Sequence, residues 1–127
     1  MRYYGHLESM DDWEQLLTDP DMQWVDNCSA KELARTWAHC RRFPEKVHGM
    51  FEAASMDLVP LFGFPQFRII LPGGNHPSHN DLYILARYGS GDLFPIMVEG
   101  KGNESFGPLV RDWKRDRSGN ELERLDF

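Results

Sequence analysis

Long hydrophobic runs and abundant cysteine are both missing from this sequence, and each absence excludes a class of protein. No apolar stretch in its 127 residues approaches the length of about eighteen that a membrane-spanning helix needs. The first residues, Met1 to His6, lack the apolar core of a signal peptide. The only two cysteines, Cys28 and Cys40, lack metal-ligand spacing, so we expect reduced thiols rather than a disulfide. A soluble, cytoplasmic protein without a membrane partner is therefore expected.

An excess of basic residues is also missing, because the formal net charge is −6. Residues 1–28 hold one basic residue against seven acidic ones, which equals the whole imbalance of the chain. The one basic cluster that we recognise in the sequence lies at residues 111–117, where it is interleaved with acids. Proteins that hold nucleic acid by its phosphates normally present a basic field, and this composition does not predict one.

Two interpretations of the acidic N-terminal segment stay open. A solvated helical face that keeps the protein soluble is the simpler one. The other is an acidic surface, with Asp11, Asp12 and Glu14 at its centre, that docks on the nucleic-acid groove of another protein.

Capping signals predict the first helix. Ser9 followed by Asp12 fits a capping box and predicts a helix over about 10–18, with Asp19-Pro20 ending it.

Similar signals predict two more helices. Ser29 with Glu32 predicts a capped helix that reaches about Arg42. Pro44 suits the first turn of a third helix, whose apolar positions recur at helical spacing.

Strand patterns follow these helices. The run 58–64 is apolar but contains a proline and a glycine, so we interpret it as an irregular or short strand. Residues 66–71 read as a strand, and two further β-prone runs, 82–88 and 93–98, flank the turn Gly89–Asp92 as a hairpin. Pro95 in the second run indicates an edge, a bulge or a position that needs no donor.

The order of elements predicts an α+β fold. It consists of N-terminal helices, a small antiparallel β-sheet with a central hairpin, and a C-terminal helix over Phe106–Arg117. At this length and with 41% hydrophobic residues, 1–127 should form one domain with a modest core. Within it, 1–28 is an acidic helical segment and 66–101 is the hairpin core.

The hairpin places chemistry-bearing residues together. If it folds about Ser90, opposed residues sum to about 180 in number, so Asp81 lies opposite Glu99. Because side chains alternate between faces, Lys101 shares a face with both. Two carboxylates and an amine would then converge.

Such a trio suits phosphodiester hydrolysis. Mg²⁺ or Mn²⁺ would be held by Asp81 and Glu99, since Mg²⁺ usually takes one or two protein carboxylates and completes its shell with water and phosphate oxygens. Lys101 could orient the attacking water or stabilise the negative charge of the transition state. An exposed hairpin with ordinary surface charges is the simpler interpretation, and a bare match to this pattern is common by chance.

The motif Asp81…Glu99-x-Lys101 resembles the core motif of the PD-(D/E)xK nuclease superfamily. More segments resemble a bacterial family of uncharacterised proteins assigned to that superfamily: Ser29–Trp37, Leu71–Gly74, Pro77–Asp81 and Val98–Gly107. The likeness runs from about Trp13 to the C-terminus. It implies a restriction-endonuclease-like core, metal ligation by Asp81 and Glu99, a catalytic role for Lys101, and location in a bacterial or phage-infected cell.

The chain departs from this resemblance in two respects. Relatives continue past Phe127 into a further helix and a last strand, so we expect a shortened homologue or one completed by a partner, with self-association through an exposed sheet edge. Many members also add a glutamate from the first helix, and Glu32, Glu45 and Glu52 all qualify here. Glu104 is a further supporting candidate, as a helix cap or as a contact to Lys101.

Three functions stay open. The first is a metal-dependent nuclease that acts on DNA or RNA. The second is a non-catalytic homologue that binds a protein or nucleoprotein complex, such as a phage or mobile-element inhibitor of CRISPR or restriction enzymes. The third is a binding module in which the nuclease-like scaffold is purely structural.

Overall fold

A four-stranded sheet with helices on one side positions the candidate residues. The computed structural model describes residues 1–5, 7–70, 77–103, 109 and 111–112. Within these residues the chain forms four strands and four helices, and the strands are ordered β1-β2-β3-β4 across the sheet. In chain order the elements are β1 Arg2–Tyr3, α1 Met10–Glu14, α2 Pro20–Gln23, α3 Ser29–Trp37, α4 Glu45–Ala53, β2 Leu58–Ile69, β3 Ser78–Tyr88 and β4 Leu93–Val98. The predicted α+β fold is confirmed.

The sheet is mixed rather than purely antiparallel. Strands β2, β3 and β4 pair antiparallel, but the short β1 runs parallel to β2, with Arg2 opposite Phe62 and Tyr3 opposite Gly63. A Cβ at Gly63 would lie 2.7 Å from the Tyr3 ring, so glycine is what lets this ring lie on the sheet. No residue pattern predicts β1, because a two-residue strand is too short to show a period.

The core lies between one face of the sheet and the helices. Leu82, Ile84 and Ala86 alternate along β3 and are completely buried, as expected for one face of a strand. They form one cluster with the apolar side of α3, where Ala34 is also completely buried and Trp37 nearly so. This packing fixes α3 over the centre of the hairpin.

The hairpin has the register that the sequence predicts. Leu82 pairs with Val98 and Arg87 with Leu93, and all pairs between them sum to 180. The turn is closed by a 2.8 Å hydrogen bond in which the Tyr88 N–H donates to the Asp92 carbonyl. Gly91, with a φ of 103°, provides the left-handed conformation within this turn.

Pro95 lies on β4, the outer strand of the sheet that the described residues form. Because Tyr88 and Asp92 are hydrogen-bonded and pair types alternate along an antiparallel ladder, Leu85 and Pro95 form a non-hydrogen-bonded pair. The backbone nitrogen of Pro95 therefore points away from β3, where the missing N–H breaks no ladder bond. Pro95 thus marks an edge, one of the alternatives that the sequence left open.

The first predicted helix is shorter than expected. Its Ser9–Asp12 capping box is present, but α1 ends at Glu14. Asp19-Pro20, predicted to end this helix, instead begins α2, where Asp19 caps the N-terminus and Pro20 takes the first position. Proline has no backbone N–H. A residue in the first turn of a helix needs none, but a residue in the helix interior does, so Pro20 can begin one helix as well as end another.

The predicted capping box at Ser29 is wrong. Cys28 is the N-cap of α3 without a side-chain cap, and Ser29 lies one residue inside the helix. The Glu32 carboxylate accepts a 3.1 Å hydrogen bond from the N–H of Asn27, the residue before the N-cap, instead of from the N–H of Ser29.

The helix α3 also ends at Trp37 rather than near Arg42. The Tyr3 hydroxyl donates a 2.5 Å hydrogen bond to the carbonyl of Trp37. The same carbonyl also accepts a 2.9 Å hydrogen bond from the Cys40 N–H, so this carbonyl at the end of the helix has two donors.

The two strands predicted over 58–64 and 66–71 are one strand, β2, which runs from Leu58 to Ile69. A bulge between Pro60 and Phe62 absorbs the irregularity that proline causes.

Residue 71 and most of the helix predicted over 106–117 lie outside the described residues. In the part of the chain that the structure describes, no helix is both long and apolar enough to cross a bilayer.

We predict that burial on β3 decides the stability of the fold. Replacing Leu82, which is completely buried, with alanine should lower the free energy of unfolding by about 2–5 kcal/mol, because the fold would lose apolar contacts and gain a cavity. Leu93→Ala on the same hairpin is the matched control, since Leu93 is 62% exposed and its loss should cost well under about 1 kcal/mol. Urea denaturation followed by circular dichroism measures both, and equal costs would contradict this placement of the core.

Candidate functional site

The candidate site lies at the end of the hairpin away from its turn. The last pair of the ladder is Leu82 with Val98, so Asp81 and Glu99 are the next residues of the two strands. Hydrogen-bonded and non-hydrogen-bonded pairs alternate along an antiparallel ladder. Since Leu82 and Val98 form a hydrogen-bonded pair, the next position, with Asp81 and Glu99, is of the non-hydrogen-bonded type. Side chains come closest at such positions, with Cα atoms about 4.5 Å apart in regular strands.

The carboxylate of Asp81 ends the ladder. Its Oδ2 accepts a 2.7 Å hydrogen bond from the N–H of Gly100. In a continued ladder this N–H would point to the backbone of β3, so the side chain replaces a strand contact. Asp81 therefore holds the chain leaving β4 against β3, whatever else it binds.

Lys101 pairs with Glu99. The Nζ of Lys101 lies 3.0 Å from Oε1 of Glu99, and their side chains are 40% and 58% exposed. At this exposure the pair contributes at most about 1 kcal/mol, so Glu99 can exchange its partner at little cost. Glu99 thus contacts Lys101, while Asp81 contacts Gly100.

Two glycines allow this segment to lie against the N-terminus of α3. A Cβ at Gly100 would lie 3.2 Å from Cβ of Ser29 and 3.3 Å from Oδ2 of Asp81. A Cβ at Gly102 would lie 2.0 Å from the carbonyl oxygen of Asn27, which no side chain can tolerate. That same carbonyl accepts a 2.9 Å hydrogen bond from the Asn103 N–H. The glycines on both sides of Lys101 are thus required for close approach.

The upstream glutamates differ in their distance from this segment. Glu32 lies on α3 and hydrogen-bonds Asn27, whose carbonyl in turn binds the segment after Lys101. Its carboxylate is also paired with the Arg35 guanidinium. Glu32 is therefore the acid on the helix that meets the site.

The other candidates are not brought to this place. Glu45 and Glu52 lie on α4, whose C-terminal end reaches the turn of the hairpin, since the Tyr88 hydroxyl donates a 3.2 Å hydrogen bond to the Ser55 carbonyl. Tyr88 is seven residues from Asp81 along β3, or roughly 23 Å. Glu104 lies outside the described residues.

Sequence reasoning missed an unusual residue beside Asp81. In the register of β2 and β3, Pro65 pairs with Leu82 and Phe67 with Asn80, which leaves Gln66 across from Asp81. Gln66 has a φ of 53° inside a strand, a left-handed conformation that costs about 1–3 kcal/mol for a residue with a side chain. Backbone strain of this kind often accompanies functional sites, and only coordinates can reveal it.

The donor set fits a hard divalent cation. Asp81 and Glu99 supply carboxylate oxygens, the ligands that Mg²⁺ and Mn²⁺ prefer, and two protein carboxylates are enough for Mg²⁺. Within the described residues, no three or more His, Cys, Asp or Glu side chains are grouped so that they could hold a metal ion. A structural zinc-type cage is therefore not formed by those residues, and the remaining ligands of a magnesium ion would be water and phosphate oxygens.

The acidic N-terminal residues fall into two kinds. Asp12 is a capping residue whose Oδ2 accepts hydrogen bonds from the Ser9 hydroxyl, the Ser9 N–H and the Glu8 N–H, and these contacts, in that order, hold the pKa of its carboxyl below the usual value. Asp11 points to solvent and Glu14 is half-buried. Of the three predicted docking residues, Asp12 therefore has a structural role in α1.

One family model matches the chain, over residues 6–127, and it is described as a domain of unknown function, DUF6946. Nothing among curated proteins or solved structures matches the chain.

We predict that Gly102→Ala displaces the segment around Lys101. The added Cβ would overlap the Asn27 carbonyl, and overpacking of this kind costs about 1–3 kcal/mol. Gly49→Ala in α4 is the matched control, because nothing lies within 4 Å of its Cβ and alanine should stabilise the helix by about 0.5–1 kcal/mol. Urea denaturation would show opposite signs for the two variants, and a neutral Gly102→Ala would contradict the docking on α3.

Proposed function

The chain belongs to the DUF6946 family, and we propose that it is a metal-dependent nuclease that cleaves phosphodiester bonds of DNA or RNA in the cytoplasm of a bacterial or phage-infected cell. The observation that carries this proposal is the register of the hairpin. Continued by one residue beyond its last pair, Leu82 with Val98, this register would put Asp81 across from Glu99, whose Oε1 lies 3.0 Å from the Lys101 Nζ. Two carboxylates with one amine are the donor set that phosphodiester hydrolysis with a divalent cation requires.

Each residue of the trio has a defined task in this proposal. Asp81 and Glu99 would hold Mg²⁺ or Mn²⁺, which when bound lowers the pKa of a water molecule and neutralises phosphate charge. Asp81 is held in place by the Gly100 N–H, so one of its oxygens is positioned before any ligand arrives. Lys101 has three N–H donors, and it would leave Glu99 to stabilise the charge that develops on the phosphate.

The surroundings of the trio support a reaction in a partly open site. Glu99 and Lys101 are exposed, whereas Asp81 is half-buried. A long polymer can therefore approach from the solvent side while the glycine contacts to α3 keep the segment in one position. Preorganised charge is the main source of catalysis in such sites.

We predict that Lys101→Ala abolishes Mg²⁺- or Mn²⁺-dependent cleavage of a plasmid and of single-stranded DNA and RNA, with little change in stability. The pair that it removes is exposed and energetically weak, while the charge lost is the one that the reaction needs. Gel assays of purified protein with each metal measure cleavage, and denaturation measures stability.

Lys46→Ala is the matched control for this experiment, because Lys46 is an exposed lysine on α4. It should cleave like the unmodified protein. Unmodified protein that cuts no substrate with either metal, or a Lys101→Ala variant that cuts at the same rate, would refute the nuclease proposal.

A second candidate function is supported by the acidic surface. In the part of the chain that the structure describes, Asp26 is the one acid of residues 1–28 with an ion pair, to Lys31 and Arg35. Asp11 and Asp21 are both exposed on the short helices α1 and α2, neither of which has a basic residue in its last turn. Their negative field is thus not neutralised within the described chain, and it would suit docking on a basic groove of a nucleoprotein complex.

If this second function holds, we predict that Asp11→Lys with Asp21→Lys weakens inhibition of DNA cleavage. The assay uses a panel of restriction endonucleases and RNA-guided nucleases, with inhibition measured at low and high salt. These two positions are preferable to Asp12 and Asp19, which cap helices. Lys101→Ala should leave this inhibition intact.

Glu45→Lys with Glu52→Lys makes the same change in charge on α4 and is the matched control. An equal effect of both double variants would show that net charge alone acts. Absence of inhibition across the panel would remove this alternative.

A further inference from the structure

A cleft of about 900 Å³ lies away from the trio. It opens between β1 and the residues that follow α3. Its lining includes Arg2 and Tyr3 from the strand and His39, Cys40 and Arg41 from the chain after the helix. We call it the arginine cleft.

The arginine cleft gathers positive charge in an acidic protein. Arg2 lies in the acidic segment of the sequence, but folding brings it to Arg41 and Arg42, about forty residues away. The pKa of the Met1 amino group is lowered, first by burial and then by the charges of Arg41, Arg42 and Arg2 in that order. The charges of these three guanidinium groups therefore all act on the Met1 amino group.

The described residues do not neutralise this charge. Ion pairs among them involve neither Arg2 nor Arg41 nor Arg42, and all three side chains are exposed. Glu8 also lines the cleft and is the one carboxylate among the lining residues that the structure describes. Two arginines of the lining, Arg2 and Arg41, therefore outnumber its one described carboxylate, and Arg42, which acts on the Met1 amino group, adds a third positive charge nearby.

Neighbouring groups leave the charge of the cleft positive. Burial raises the pKa of the Cys40 thiol, and its Sγ donates a 3.1 Å hydrogen bond to the Thr36 carbonyl, so the thiol stays neutral. The Tyr3 hydroxyl is turned to the Trp37 carbonyl, and burial raises its pKa as well. Both groups are neutral near pH 7, and neither offsets the arginines.

Phosphate is the ligand that this chemistry recognises. Guanidinium groups bind phosphate oxygens with paired N–H donors, and they remain charged at any physiological pH. Like charges held together without partners are also destabilising, and a bound phosphate relieves that repulsion.

We propose that the arginine cleft binds a backbone phosphate of the nucleic-acid strand cut at the Asp81–Glu99–Lys101 site. This rests on the proposed nuclease function. The helix α3 connects the two places, because its N-terminus meets Gly100 and its C-terminal end leads into the cleft. Nine helical residues span about 13 Å, a length that a strand of a few nucleotides can bridge. A net-acidic protein would in this way hold a polyanion by one local basic site.

The test measures binding without cleavage. A fluorescently labelled single-stranded oligonucleotide is titrated with the full chain in EDTA, and anisotropy is followed at several salt concentrations. Arg41→Gln with Arg42→Gln should weaken binding at low salt by about tenfold or more and reduce the salt slope by about two. Inorganic phosphate should compete for the unmodified protein.

Arg87→Gln with Lys46→Gln removes the same charge from β3 and α4 and is the matched control. It should bind like the unmodified protein. An equal loss in both double variants, or no loss in the cleft variant, would overturn the proposal. If the cleft double variant fails to fold by circular dichroism, Arg2→Gln replaces it, with an expected slope change of about one.

The two proposals fail separately. Lys101→Ala should still bind the oligonucleotide, since it leaves the arginine cleft intact. Cleavage without a contribution from the cleft arginines would refute the phosphate site and leave the nuclease standing. Binding through the cleft without cleavage under any divalent metal would refute the nuclease and leave the phosphate site standing.

Discussion

Three side chains of β3, Leu82, Ile84 and Ala86, are completely buried beneath the helices, and this burial constrains the rest of the sheet. A slip of one residue would expose all three and bury the other face of the strand, so only one register of β3 is compatible with the core. Once that register is set, Asp81 and Glu99 are the residues next to its last pair, Leu82 with Val98. The chemistry proposed for this end therefore depends on packing that lies entirely elsewhere.

The contacts at the end of the hairpin add a second constraint. Asp81 receives the Gly100 N–H, and Asn103 binds the Asn27 carbonyl before α3. The segment that carries Lys101 is thus attached at both ends, once to the sheet and once to the helix. Because the same carboxylate both ends the ladder and would hold a cation, a substitution of Asp81 would change structure and catalysis together. A substitution of Lys101 can separate the two, because its ion pair with Glu99 is exposed and weak.

What the sequence predicts well are local features with a strong signal. The hairpin register follows from the turn at Gly89–Asp92 and from two flanking β-prone runs, and the capping box at Ser9 follows from adjacent residues. The start of α3 was misplaced by one residue because Ser29 and Glu32 fit a capping pattern that Cys28 pre-empts. Strand β1, the strained Gln66 and the arginine cleft were missed altogether. Each depends on contacts between residues far apart in the chain, or on a backbone angle that composition does not encode.

The placement of Pro95 bears on how this sheet avoids uncontrolled assembly. Strand β4, Leu93–Val98, is the outer strand among the described residues and contains no charged residue, and an uncharged edge strand is the usual template for aggregation. The outward-facing backbone groups belong to alternate residues, and the central one of these is the proline. An incoming strand therefore finds an interrupted row of donors. Pro95 acts as a gatekeeper residue, because a single proline lowers the tendency of this hydrophobic strand to pair with other chains and aggregate.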